Sequence, residues 1–183
     1  MTTNTRSLEE QRAEFARSPF LAMPIAGTIA WTVIGIGGAL LPIGLAAWLL
    51  FFATGSIFGL GLLVARFTGE DLTGKGRPSN TFDSLFMLSL TMAWLAFGIA
   101  IPFFLVDPTS LPLSVGILSG LMWVPFSWII QAPIALFHGI ARTVLIVAAH
   151  YLFPDHRFVA IPAVIVVLYL VVIAGLAKRK RDV

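Results

Sequence analysis

The stretch LFHGIARTVLIVAAHYLF, residues 136–153, sets His138, Arg142 and His150 inside an otherwise apolar run. A guanidinium offers five N–H donors and a permanent charge, and an imidazole can donate, accept or titrate near neutral pH. His138 and Arg142 are four residues apart, one helical turn on one face, and His150 lies about two turns further on, close to the same face. Gln131 and Ser127, just upstream, add polar groups at one end of that stripe. The chemistry such a set can do is anion recognition, with the arginine fork taking carboxylate or phosphate oxygens and His138 and Gln131 supplying further bonds. Metal chemistry fits less well, because His138, His150 and His156 contain no i, i+4 pair and the chain has no cysteine. The sequence also lacks a GxSxG elbow and an intramembrane carboxylate pair for acid and base work. The expectation is therefore no enzyme, no metal and no cofactor.

The elements that position these residues are membrane spans. Of 183 residues, 58% are hydrophobic and 11% charged, with a mean hydropathy of +0.93. The apolar residues come in runs of about 20, long enough to cross ~30 Å of hydrocarbon as helices. Six spans are predicted, at about 23–41, 43–65, 84–106, 112–130, 133–152 and 158–177, forming an all-α membrane bundle over 23–177. Pro42 makes the first turn, and a polar, Gly-rich loop occupies 66–83. The N-terminal segment 1–22 holds three Arg and three Glu in its first 20 residues, without an apolar core, so no cleavable signal peptide is expected. Ser7 and Glu10 have capping-box spacing, and Leu8, Phe15 and Ala16 fall roughly on one side of a short amphipathic helix expected to lie on the membrane surface. The absence of cysteine excludes disulfides and lipid-modified thiols.

Basic residues orient the bundle. Arg6, Arg12, Arg17, Arg66, Lys75, Arg77, Lys178, Arg179, Lys180 and Arg181 fall on one side of the predicted spans and only Arg157 on the other. Positively charged short loops stay in the cytoplasm, so both termini, the 66–83 loop and the basic tail 178–183 are expected there. The count leaves open whether residues 112–152 make two full spans or a re-entrant pair. No convincing residue match relates the two halves, which weakens an inverted-repeat transporter.

Arg142 thus falls near mid-bilayer, where a charged side chain costs several kcal/mol, about 2.5 or more on any scale. No Asp or Glu lies near that depth. Two readings follow. In the first, the proline at Pro125 kinks the fourth span and leaves the Leu121 carbonyl without its helical donor, and the arginine fork fills that gap, helped by Ser119 or Ser127 and by the room at Gly120. The protein is then a structural, accessory or partner-binding bundle. In the second, the fork faces a water-filled cavity and binds a small anionic solute or a lipid head group, with His138 and Gln131 as co-ligands. Partners expected on these readings are the lipid bilayer, a second copy or another membrane protein, and an anionic lipid or solute; nucleic acid is not among them.

Two small-residue pairs, Gly55 with Gly59 and Gly116 with Gly120, have the spacing that lets helix backbones approach closely, either within the bundle or across a dimer seam. The segment GEDLTGKG at 69–76 starts like a phosphate-cradling loop, but Gly76 follows Lys75 where Ser or Thr would ligate magnesium. It is read as a flexible polar loop.

The segments TGSIFGLGLLVARFTGEDL (54–72), IPFFLVDPTSLPLSVGILSGLMWVPFSWIIQ (101–131) and YLFPDHRFVAIPAVIV (151–166) together resemble a family of small bacterial multi-pass membrane proteins of about six spans and unknown function. The resemblance implies a bacterial cytoplasmic membrane location and carries no catalytic motif.

Overall fold

A computed structural model describes residues 6–74 and 78–179. Lys75, Gly76, Arg77, Lys180 and Arg181, which entered the loop and charge readings, lie outside the described residues. Among the described residues every regular element is helical: α1 Leu8–Ala16, α2 Ala22–Leu40, α3 Ile43–Gly55, α4 Ile57–Thr68, α5 Thr81–Leu95, α6 Phe97–Val106, α7 Leu111–Gly120, α8 Trp123–Ile129, α9 Pro133–Leu152 and α10 Arg157–Lys178, with single 3₁₀ turns at Pro108–Ser110 and Pro154–His156. Five helical stretches are long and apolar enough to cross a membrane: Ala22–Leu40, Thr81–Val106, Pro108–Ile129, Pro133–Leu152 and Pro154–Lys178. A sixth is added if α3 and α4, bent by 48°, form one broken span.

Three of these stretches are interrupted in the middle, two of them with a local cause in the chain. Between α3 and α4, the hydroxyls of Thr54 and Ser56 donate to the carbonyls of Leu50 (2.7 Å) and Ala53 (2.9 Å), a back-bonding that bends helices. Between α7 and α8 the helix opens at Leu121 and Met122. Leu121 is four residues before Pro125, whose ring crowds that carbonyl and whose nitrogen cannot donate to it. The Leu121 carbonyl instead accepts from the Val124 N–H at 3.1 Å, so the orphan acceptor expected there is already satisfied by a tighter turn. The third interruption is at Ala96, between α5 and α6.

The packed centre is made by α2, α7, α9 and α10. On α10, Ile161, Ile165, Leu168, Tyr169, Val172 and Leu176 are buried, one stripe at helical period. It packs against α2 through small residues. A methyl added at Gly27 would stand 2.7 Å from the Tyr169 ring, and one at Gly35 would stand 3.2 Å from Pro162. That close approach supplies the dispersion contacts on which helices associate in lipid.

Polar bonds tie off both ends of the bundle. At one end, a Glu70 carboxylate oxygen accepts the N–H groups of Leu21 and Ala22 at 2.9 Å each, capping α2 from the loop after α4. Arg179 donates to the carbonyls of Ile130 (2.7 Å) and Ser18 (2.9 Å), a cation on chain ends that need donors. At the other end, Arg157 bonds Asp107, Thr109 and the carbonyl of His150, joining the turns before α7 and α10.

Helix α1 opens with the expected capping box: Glu10 N–H donates to the Ser7 hydroxyl and Ser7 N–H to the Glu10 carboxylate. Its buried face differs from the expected one. Gln11 and Phe15 are inside while Leu8 is 64% exposed. The reason is polar docking: Gln11 accepts from the Thr81 N–H at 2.9 Å, and the Asn80 amide donates to the Gln11 carbonyl at 2.8 Å, fastening α1 to the start of α5.

A buried arginine and the adjoining cavity as candidate functional site

The buried face of α9 consists of Ala135, His138, Gly139, Arg142, Ile146 and Ala149, a helical stripe that carries both polar residues inward. Arg142 is 1% exposed. Its Nε donates to the Gly116 carbonyl at 2.7 Å, Nη1 to the Tyr169 hydroxyl at 3.0 Å and Nη2 to the Ser119 hydroxyl at 3.1 Å. The guanidinium carbon lies 5.3 Å from the Tyr169 ring centre and 5.6 Å from that of Trp31, within cation–π range. One side chain therefore links α9 to α7 and α10 by hydrogen bonds and reaches the Trp31 face of α2. None of these partners is a carboxylate.

The glycines of α7 make the approach fit. A methyl at Gly120 would stand 2.8 Å from Cδ and 2.9 Å from Nε of Arg142, so any side chain there collides with the arginine stem. At Gly116 it would meet Ile146 at 3.0 Å and Ile165 at 3.3 Å. The Gly116 and Gly120 pair faces inward, onto α9 and α10. Gly55 and Gly59 do not behave as a pair: a methyl at Gly55 would touch Trp94 at 3.5 Å and one at Gly59 would meet nothing within 4 Å. The bend at Ser56 separates them, and the spacing rule holds only along an unbroken helix.

His138 is buried beside the arginine, its ring 4.8 Å from Trp123 and 4.9 Å from Tyr169. Its Nδ1 lies 3.3 Å from the Leu168 carbonyl. A carbonyl can only accept, so that nitrogen carries the proton and Nε2 presents a lone pair, which meets no donor. The remaining residues proposed for the stripe lie elsewhere. Gln131 is exposed in the α8–α9 turn with φ 52°, where the Ala132 N–H donates to the Ser127 carbonyl at 3.1 Å. That is the pattern of a helix stop with a left-handed residue at its end. Ser127 donates to the Val124 carbonyl at 2.7 Å. Neither reaches Arg142. His150 is half-buried near the far end of α9, where its carbonyl accepts from Arg157 at 3.2 Å. Pro125 is exposed and acts on the helix path alone.

Tyr169 and Trp31 were absent from the sequence reading although both hold the arginine. A tyrosine in the run VVLYLVV, at the middle of a span, is the signal that could have found the first: a hydroxyl at that depth needs a partner. Ser119 and Tyr169 also line a cavity of about 100 Å³ between α3–α4, α5–α6 and α7–α8, walled mainly by Phe58, Trp94, Phe97 and Trp123. No group of three or more His, Asp or Glu suited to a metal ion occurs among the described residues.

An all-helical bundle with five to six helices long and apolar enough to cross a membrane, closed around a buried arginine, is the architecture of an integral membrane protein. The chain belongs to DUF7010, a family of unknown function, whose family model matches residues 8–179. Comparison with curated proteins and with solved structures finds no match.

Proposed function

We propose that this protein is a non-enzymatic structural or accessory bundle of the bacterial cytoplasmic membrane in which Arg142 is an internal strut, holding the interrupted fourth span against the fifth and the last. The observation that supports this reading is the partner set of Arg142. Three of its nitrogens are bonded to groups on α7 and α10 while the side chain is 1% exposed. Placing both termini in the cytoplasm follows from the distribution of Lys and Arg, and the accessory role is exercised within the bilayer on another membrane protein or a second copy. A solute landing on Arg142 itself, with His138 and Gln131 as co-ligands, has less support, because Gln131 stands at the surface away from the arginine.

Thermal unfolding of purified Arg142→Gln tests the strut. The substitution removes the charge and shortens the side chain, leaving the hydroxyls of Tyr169 and Ser119 short of a donor at about 1–3 kcal/mol per unsatisfied group. A drop in Tm with normal membrane insertion supports the reading. A variant as stable as the parent refutes it.

A further inference from the structure

The hydroxyls that hold Arg142 open onto the cavity where the three interrupted spans meet. Gly55 and Ile57 flank the break between α3 and α4, Ala96 is the break between α5 and α6, and Met122 is part of the break in the fourth span; all four line this one space. Irregular backbone at membrane depth is tolerated where it is buried in protein or borders a cavity, and discontinuous helices converging near mid-depth are how membrane proteins build ligand sites.

The polar groups of the cavity are few. Its lining holds no Asp or Glu. The Thr54 and Ser119 hydroxyls spend their protons on the carbonyls of Leu50 and Val115. The Tyr169 oxygen accepts from Arg142, which leaves its proton to donate. Trp94 and Trp123 contribute their indole rings to the lining. Behind Tyr169 and Ser119 stands the arginine charge without a carboxylate partner. A site with no carboxylate, one hydroxyl proton left to donate, a fixed cation behind it and walls of aromatic rings fits an anionic oxygen on an apolar body.

We infer that this cavity binds a lipophilic carboxylate, such as a long-chain acyl anion, with its carboxylate at the Tyr169 hydroxyl, on the side where the arginine charge stands, and its chain leaving past Trp94. The volume of about 100 Å³ houses the head and the first carbons. Trp94 is 57% exposed and marks the side on which the cavity opens. A carboxylate gains from the arginine charge in this low-dielectric setting, and an alcohol of equal length does not. The inference stands apart from the strut, since Arg142 does not line the cavity and need not move.

Dibrominated stearate and dibrominated stearyl alcohol, titrated onto the protein in phosphatidylcholine nanodiscs, test it through bromine quenching of tryptophan fluorescence. The acid is expected to give a saturable component, with the alcohol at least tenfold weaker. Ala93→Phe, which fills the cavity away from the Arg142 contacts, removes that component while Tm holds. Tyr169→Phe weakens it about tenfold by removing the one hydroxyl donor; if that variant fails to fold, Ala93→Phe and the acid-to-alcohol ratio still decide. Equal saturation by acid and alcohol, a saturable component that survives Ala93→Phe, or no saturable component at all overturns the inference.

Discussion

Inside the protein, 33% of the α9 window and 39% of the α10 window are buried, against 6% of the window spanning α5 and α6. Hydropathy does not explain the difference, since the α5–α6 stretch is more apolar than α9. In water the more apolar helix goes inside; in lipid the surroundings are as apolar as the core, and that sorting force is gone. What brings helices together instead is what lipid cannot supply: partners for polar groups, and close dispersion contact where side chains are small. The central helices hold both, with Arg142, His138 and Gly139 on α9, Tyr169 on α10, Gly116 and Gly120 on α7 and Gly27 on α2. The α5–α6 arm presents Leu88, Leu95 and Ile99 outward, and its Gly98 faces open space. Its clearest polar anchor is at its start, where Asn80 and Thr81 bind Gln11.

That contrast predicts a graded series of effects. The largest belongs to Arg142→Gln, with a loss of roughly 2–4 kcal/mol in reversible unfolding, because the buried Tyr169 hydroxyl and the part-buried Ser119 hydroxyl lose their donor together. Next comes Gly120→Val, which drives a side chain into the arginine stem and costs roughly 1–3 kcal/mol by overpacking; its signature is that Arg142→Gln in the same chain relieves part of the loss. A smaller effect sits at the outer end of the bundle. Hydrogen bonds from the Thr109 hydroxyl and backbone N–H, and the Arg157 charge, hold the Asp107 carboxyl below its usual value of 3.8. A depressed carboxyl contributes its stability above the unfolded value and loses it as pH falls through the folded one, so stability should fall on acidification below about 3.8. Thr109→Val should shallow that slope in an acid titration of Tm. The smallest effect is expected in the arm, where Leu95→Ala removes a side chain that is 73% exposed and should shift stability by no more than about 0.5 kcal/mol.

Much of the architecture was legible because a span is written in plain terms: a run of about 20 apolar residues between turn signals. The helix stretches lie close to the predicted ranges for this reason, with α9 at Pro133–Leu152 and α2 at Ala22–Leu40. The burial of Arg142 was legible too, from depth and the stripe it shares with His138. Its partners were not. The proline at 125 stands four residues after the break at Leu121, but the Leu121 carbonyl resolved its own shortage by turning to Val124, and the arginine reached one turn further along α7 to Gly116. Local rules indicate which group loses a bond, while the replacement depends on geometry between helices. Gly55 and Gly59 misled for a related reason, since a bend made by neighbouring hydroxyls cannot be read from the spacing of glycines. The cavity was invisible because its lining comes from helices far apart in the chain, joined only by the coincidence of their breaks.

Hydrogen–deuterium exchange on Arg142→Gln beside the parent, in the same nanodiscs, addresses the strut most directly. If the arginine holds the centre together, peptides from α7, α9 and α10 lose protection in concert while those from α5 and α6 exchange as before. If protection changes only in the turn around residue 142, or is lost evenly across the arm and the centre, Arg142 is not the strut of this bundle.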